Sequence, residues 1–256
     1  MLFPMLQPML QPMLRNLLGR SSVLPLSAAV AAMFANGEQG AWYDPSNIAS
    51  LFQDSAGTVP VTADGQPVGE LLDQSGRGNK QLQTVTTARP LYKIDSSVSN
   101  IKFDGASSGL STATFAAGTL KIGMDFFIAM RRDSPASMLL AAMSTGGGTW
   151  FGVMDTSGGG TSSNSGAPTY AVNGVDVPGG TATTRAQLNA AVPVGQWVIV
   201  EIRNLNLSSW TAFVTGEYSG FVLNAGVAGL VLCLSQTPEK RLAVRRYLGQ
   251  KVGLSF

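Results

Sequence analysis

Apolar and polar positions change texture at about residue 37. Before it the chain repeats Met1-Leu2-Phe3-Pro4, Met5-Leu6-Gln7-Pro8, Met9-Leu10-Gln11-Pro12, Met13-Leu14. After it come short apolar or alternating runs cut by turn signals. Leu120 to Met130 carries Leu120, Ile122, Met124, Phe126 and Ile128 at period two, which predicts a strand. Trp197 to Ile202, Trp210 to Val214, Gly220 to Leu223 and Gly229 to Leu234 are further strand-like runs. Asn173-Gly174 is the strongest hairpin signal; Asp64-Gly65 and Gly76-Arg77-Gly78-Asn79 read as loop tips. Many short strands with few helices between them predict an all-β sandwich or barrel.

A few helical segments interrupt this. Ser27 to Phe34 predicts a short helix from its alanines, and Asn47 to Gln53 a single helical turn. Pro238-Glu239 opens a helix with the i,i+4 pairs Ala243/Tyr247 and Val244/Leu248, and Gly249 is read as its cap. Lys251 to Phe256 is then a last short strand or tail, and Ser157 to Gly166 a mobile loop of small residues.

Residues 1–36 read as an apolar arm and 37–256 as one domain. Pro4, Pro8 and Pro12 forbid a regular helix and favour extended backbone. Such a peptide cannot bury its own side chains. Met1, Leu2, Phe3, Met5, Leu6, Met9, Leu10, Met13 and Leu14, spaced by the prolines, therefore predict an anchor onto another protein or onto copies of the chain. A secretory signal is the rival, with Arg15 and Arg20 ahead of the apolar Val23 to Ala35, but the repeat is a poor start for one. The apolar stretch is too short to span a membrane, and Pro25 breaks it.

Composition narrows the function. Of 256 residues only 12% are charged, 30 are Gly, and the net charge is +2, which gives no field for nucleic acid. Lys240, Arg241, Arg245 and Arg246 read as the solvated face of one helix. Cys233, the one cysteine, lies in an apolar run and reads as core. The absence of His removes His-containing triads and His metal sites.

A longer pattern opens with Gly40-Ala41-Trp42-Tyr43-Asp44-Pro45-Ser46 and Leu51-Phe52-Gln53-Asp54. It runs through Thr58-Val59-Pro60-Val61, Asp64-Gly65-Gln66-Pro67-Val68-Gly69 and Leu72-Asp73-Gln74-Ser75-Gly76-Arg77-Gly78-Asn79. Ala88-Arg89-Pro90-Leu91-Tyr92 and Ile101-Lys102-Phe103-Asp104-Gly105 follow, and Arg246-Tyr247-Leu248 with Lys251-Val252-Gly253 closes it. This resembles the concanavalin-A-like, laminin-G-type domains of phage structural proteins, over about Gly37 to Phe256. The resemblance implies a two-sheet antiparallel jelly roll with a short C-terminal helix; the arm lies outside it.

What it implies about function is a structural protein of a tailed-phage virion, as a capsid decoration, head fibre or tail and baseplate accessory. Its partners would be other virion proteins, further copies of itself and a host-surface glycan, with no nucleic acid and no membrane. The alternative is a secreted carbohydrate-binding protein or glycoside hydrolase. Hydrolases of this fold carry paired carboxylates on one strand. None of the 15 carboxylates makes that pattern, and Asp125 and Glu201 read as isolated, solvent-facing strand positions. The expectation is therefore no enzyme, no catalytic residue and no cofactor. Asp44, Asp73, Asn79 and Asp104 are Ca²⁺-ligand types but read as turn residues, so no metal is expected. Of the four Trp residues, Trp42 and Trp197 read as core, and Trp150 is the candidate glycan contact.

Overall fold

The computed structural model describes residues 25–116, 118–135, 138–142, 149–156, 160–216 and 222–256. The anchoring residues Met1 to Leu14 lie outside them. Helix α1 (Leu26–Ala31) runs into a 3₁₀ turn (Ala32–Phe34), as the alanine-rich sequence predicts. The strands then follow as β1 (Ala41–Tyr43), β2 (Leu51–Phe52), β3 (Glu70–Leu71), β4 (Gln81–Leu82), β5 (Leu91–Asp95), β6 (Val98–Asp104) and β7 (Leu110–Thr112). Next come β8 (Ile122–Arg132), β9 (Met138–Ala142), β10 (Trp150–Met154), β11 (Thr169–Val172) and β12 (Val175–Asp176). Helix α2 (Arg185–Ala191) precedes β13 (Trp197–Asn206), β14 (Val214–Thr215), β15 (Asn224–Leu234) and helix α3 (Pro238–Val252).

Among the described residues these strands form two antiparallel sheets. One has the order β12-β11-β13-β8-β15-β6-β5, with β1 also paired to β15; the other is β10-β9-β14-β7-β4-β3-β2. The chain is mostly β, with a short C-terminal helix. Both sheets contribute to one core, in which Met124, Phe126, Ile128 and Met130 of β8 meet Leu71, Leu110, Leu140 and Phe151. The opposite face of β8, with Phe127 and Ala129, is covered by Val30 of α1, by Met33 and Phe34 of the 3₁₀ turn and by Val244, Tyr247, Leu248 and Val252 of α3. Covering on both faces explains why β8 reads as nearly continuous apolar sequence rather than a strict alternation. Ile122, counted in the period-two pattern, is 69% exposed at the strand's start.

Several expectations change. Helix α3 opens on Thr237, whose hydroxyl accepts from the Lys240 N–H, with Pro238 in its first turn, but it ends at Gly253 (φ 74°) and not at Gly249. Gly249 is needed for a different reason: the tail folds back, and a Cβ there would lie 2.7 Å from the Phe256 ring. Lys251 and Val252 are therefore helical and no closing strand follows. Of the run Trp210 to Val214 only Val214 is in a strand, because Trp210 sits on a turn and its ring is fully buried in the shared core. Gly220 and Phe221 lie outside the described residues, and Val222 and Leu223 are not in a strand. Within the loop read as mobile, residues 160–166 are held: Ser163 bridges Phe151, Thr161 bridges Thr184, and Ser162, Ser163 and Ser165 are buried. The turn predicted at Asn47 to Gln53 is a 3₁₀ turn at Ile48–Ser50 leading into β2. Asn173 (φ 52°) and Gly174 (φ 82°) form the predicted two-residue hairpin between β11 and β12.

Candidate functional site

The segment that opens at Gly40 and the segment that closes at Gly253 meet in space. Asp44 lies just after β1, and Tyr247 and Lys251 are one turn apart on α3. Lys251 Nζ stands 2.7 Å from both Asp44 carboxylate oxygens and 2.8 Å from Ser46 Oγ. The Tyr247 hydroxyl donates to Asp44 Oδ2 at 2.6 Å and accepts from Trp42 Nε1 at 3.0 Å. Lys251 Nζ also sits 4.6 Å from the Tyr247 ring centre. Asp73 continues the network by accepting from the backbone N–H groups of Trp42, Ser75 and Asn79, while Asn79 Nδ2 donates to the Gly40 carbonyl. Asp104 stands apart and closes its own loop, accepting from Ala106, Ser107 and Ser108. Asp73 and Asp104 thus brace their own turns, as does Asp44 at the Ser46 N–H, while Asp44 also pairs with α3 and Asn79 ties a distant carbonyl instead of its own turn.

Burial disfavours the charged form of Asp44, but Lys251, Ser46 and Tyr247 outweigh it and hold its pKa below the ordinary carboxylate value. Burial, reinforced by Asp44, pushes the Tyr247 phenol up, so it stays a donor. For Asp104 the hydrogen bonds from its loop likewise overcome burial and lower its pKa to about 2. A depressed carboxylate pKa gives stability that is present above the unfolded value, about 4, and lost as pH falls through the folded one. The melting temperature is therefore expected to fall on acidification below about pH 4, and Asp44→Asn to flatten that slope, as scanning calorimetry across the pH range would read. An unchanged slope in Asp44→Asn would remove Asp44 from the account.

A second network overturns the reading of Asp125 and Glu201 as solvent-facing. Both side chains are fully buried, on the face of the first sheet that α3 covers. Asp125 accepts from Asn204 N, Ser235 Oγ, Gln236 N and Arg241 Nε at 2.9 to 3.1 Å. A register shift in β13 between Ile202 and Leu205, with Asn204 at φ 63°, accompanies the bond from Asn204 N. Glu201 accepts from Arg203 Nε at 2.7 Å and from Arg245 at 3.0 Å. Arg241 and Arg245 are thus not a solvated face: they reach down from α3 and fasten it to β8 and β13. Lys240 and Arg246 remain exposed, with Arg246 Nε on the Phe256 carbonyl. Cys233 is buried there too, and burial pushes its thiol up.

Trp150 opens β10, the edge strand of the second sheet. It is half-buried rather than prominent, and the Arg185 guanidinium lies 4.9 Å from its ring centre. Its backbone is fixed by Asn164, whose Oδ1 accepts the Trp150 N–H at 2.6 Å, and by Ser163 and Ser165, which donate to its carbonyl. Arg185 is itself placed by Asp155 and the Thr161 carbonyl, both at 3.3 Å. The arrangement presents part of an indole beside a cation. Trp197 is likewise half-buried, with Arg131 stacked 5.3 Å from its ring centre, whereas Trp42 is buried as expected.

The sequence reading missed Arg185 and Asp155. The available signal was Thr184-x-x-Gln187, a capping box that starts α2 and puts Arg185 in its first turn. A separate groove of about 410 Å³ runs beside the β11–β12 hairpin, lined by residues such as Val172, Val175, Pro178 and Pro193, and it has no aromatic wall. Among the described residues no three His, Cys, Asp or Glu side chains cluster to hold a metal, and no helix is long and apolar enough to cross a membrane.

No protein-family model and no curated protein matches the chain. Solved structures similar to it include Trypanosoma rangeli sialidase in complex with sialic acid, at 10% identity and a TM-score of 0.45, covering 86% of this chain and 34% of that one. Another is the same organism's sialidase with the inhibitor DANA, at 11% identity and a TM-score of 0.39, covering 90% and 39%. The chain thus spans little more than a third of the solved chains it matches. These neighbours are enzymes, and the expectation that this chain is not one is withdrawn on that finding. Similarity at these TM-scores assigns no activity or substrate to it either.

Proposed function

We propose that the chain is a structural protein of a tailed-phage virion. The apolar repeat of residues 1–14 attaches it, and residues 37–256, with Val30, Met33 and Phe34 packed onto them, form a two-layer jelly roll of the concanavalin-A-like, laminin-G type, displayed outward toward a host-surface glycan. One observation carries the reading. The segments that resemble this domain type lie two hundred residues apart in sequence, yet Asp44 and Trp42 from the first bond to Tyr247 and Lys251 from the last. Residues at both ends are thereby used as one unit, as a shared domain architecture requires. The proline-punctuated arm supplies the attachment, because an extended apolar peptide gains stability only against another surface. Fold alone leaves the ligand open; the half-buried Trp150 beside Arg185 supports a sugar as its class. Particle composition tests the proposal: a chain lacking residues 1–14 is expected to fold but to be missing from assembled particles.

A further inference from the structure

The sequence contains two Asn-Gly dipeptides, Asn36-Gly37 and Asn173-Gly174, and the structure treats them in opposite ways. Asn-Gly is the dipeptide best suited to succinimide formation, since Gly puts no side chain between its amide nitrogen and the Asn carboxamide. We infer that Asn36 is a site of spontaneous deamidation and isoaspartate formation, and that Asn173 is protected from the same reaction.

Asn36 and Gly37 are both exposed, in the turn between the 3₁₀ segment and β1. The Gly37 N–H is held only by a 3.3 Å bond to the Phe34 carbonyl. Asn36 is tied only to its neighbour Glu38 by two exposed bonds, from its N–H to Oε2 at 2.8 Å and from Nδ2 to Oε1 at 3.1 Å, and its carboxamide oxygen is not engaged in them. Asn173 is the contrast. Its N–H donates to the Ile199 carbonyl at 2.9 Å, and its carboxamide Oδ1 accepts from the Ile199 N–H at 2.8 Å. The Arg245 guanidinium packs over Gly174, 2.6 Å from where a Cβ would stand. Turning the Asn173 carboxamide carbon onto the Gly174 nitrogen breaks the bond to Ile199 and leaves that N–H unpaired in the sheet.

The reaction needs only water and a solvent base. The Gly37 nitrogen gives its proton to the base and bonds to Asn36 Cγ. The Cγ–Nδ2 bond breaks, and Nδ2 leaves as ammonia with a proton from solvent. Water then opens either carbonyl of the five-membered imide. One opening gives Asp at position 36; the other gives isoaspartate, which adds one methylene to the backbone between the 3₁₀ turn and β1. Both place a new carboxylate beside Glu38.

The test is peptide mapping of the full chain, aged in mildly alkaline buffer, natively and in denaturant, with isoaspartate read by methyltransferase labelling. In the native chain Asn36 is expected to react about tenfold or more faster than Asn173, and in denaturant the two rates should converge. Asn173 reacting as fast as Asn36 in the native chain would overturn the inference. So would an Asn36 rate that rises about tenfold on denaturation.

Discussion

Asp125→Ala is expected to destabilise the protein by about 3–5 kcal/mol, the usual cost of breaking a buried charge pair by removing one partner. The Asp125 side chain is fully buried and collects Arg241, Ser235 Oγ and the N–H groups of Asn204 and Gln236. Arg241 keeps 22% exposure and regains some water, which moves the expectation to the lower end of that range. The two backbone donors have no such recourse, since a methyl group accepts nothing. Asp125→Asn should cost less, because its amide oxygen still accepts from Asn204. In a chain of this length each kcal/mol lowers the melting temperature by about 2–4 °C, so calorimetry resolves both variants. A loss under about 1 kcal/mol in Asp125→Ala would show that the helix–sheet network does not hold α3 in place.

Phe151→Ala should cost about 4 kcal/mol, within the range for emptying a buried aromatic site. Phe151 is fully buried where the two sheets share their core. Its ring stands 4.9 Å from Phe126 edge-on and 5.5 Å from Trp210 stacked, with Phe213 at 6.5 Å. Truncation therefore removes area and aromatic contacts at once and leaves a cavity that neighbours from both sheets cannot refill. Phe151→Leu keeps part of the volume and should lose about half as much. Equal losses for the two would mean that the site collapses freely and that the aromatic geometry contributes little.

The contrast between these sites shows what was legible in the sequence. Phe126 and its period-two companions announce a core strand, although the apolar Phe127 and Ala129 between them are buried on the other face as well. Asn173-Gly174 announces its hairpin because the turn demands positive φ. Cys233 could be placed in the core from its apolar neighbours. Asp125, Glu201, Arg241 and Arg245 were misread for one reason. A charge in a strand reads as solvent-facing unless its partner is known; Arg203 stands near Glu201 on the same strand, but the partners on α3 lie about forty to over a hundred residues away. Gly249 looked like a helix end because Gly often is one, whereas the fold-back of Phe256 is a tertiary fact. At the candidate site Trp150 could be picked out and Asp155 follows directly after its strand, but Arg185 lies beyond a long connection of small residues, and without it nothing in the sequence ties Asp155 to the indole.

Where the chain resides decides whether it is a virion component. Purified particles from a host carrying the gene, imaged by electron cryomicroscopy and checked by mass spectrometry, test that directly. The expected result is the chain in fixed stoichiometry at the particle surface, with residues 1–14 seated on a neighbouring virion protein, the two-sheet body outward, and no density when those residues are deleted. A chain found only in the medium or lysate, with particles complete without it, would contradict the account.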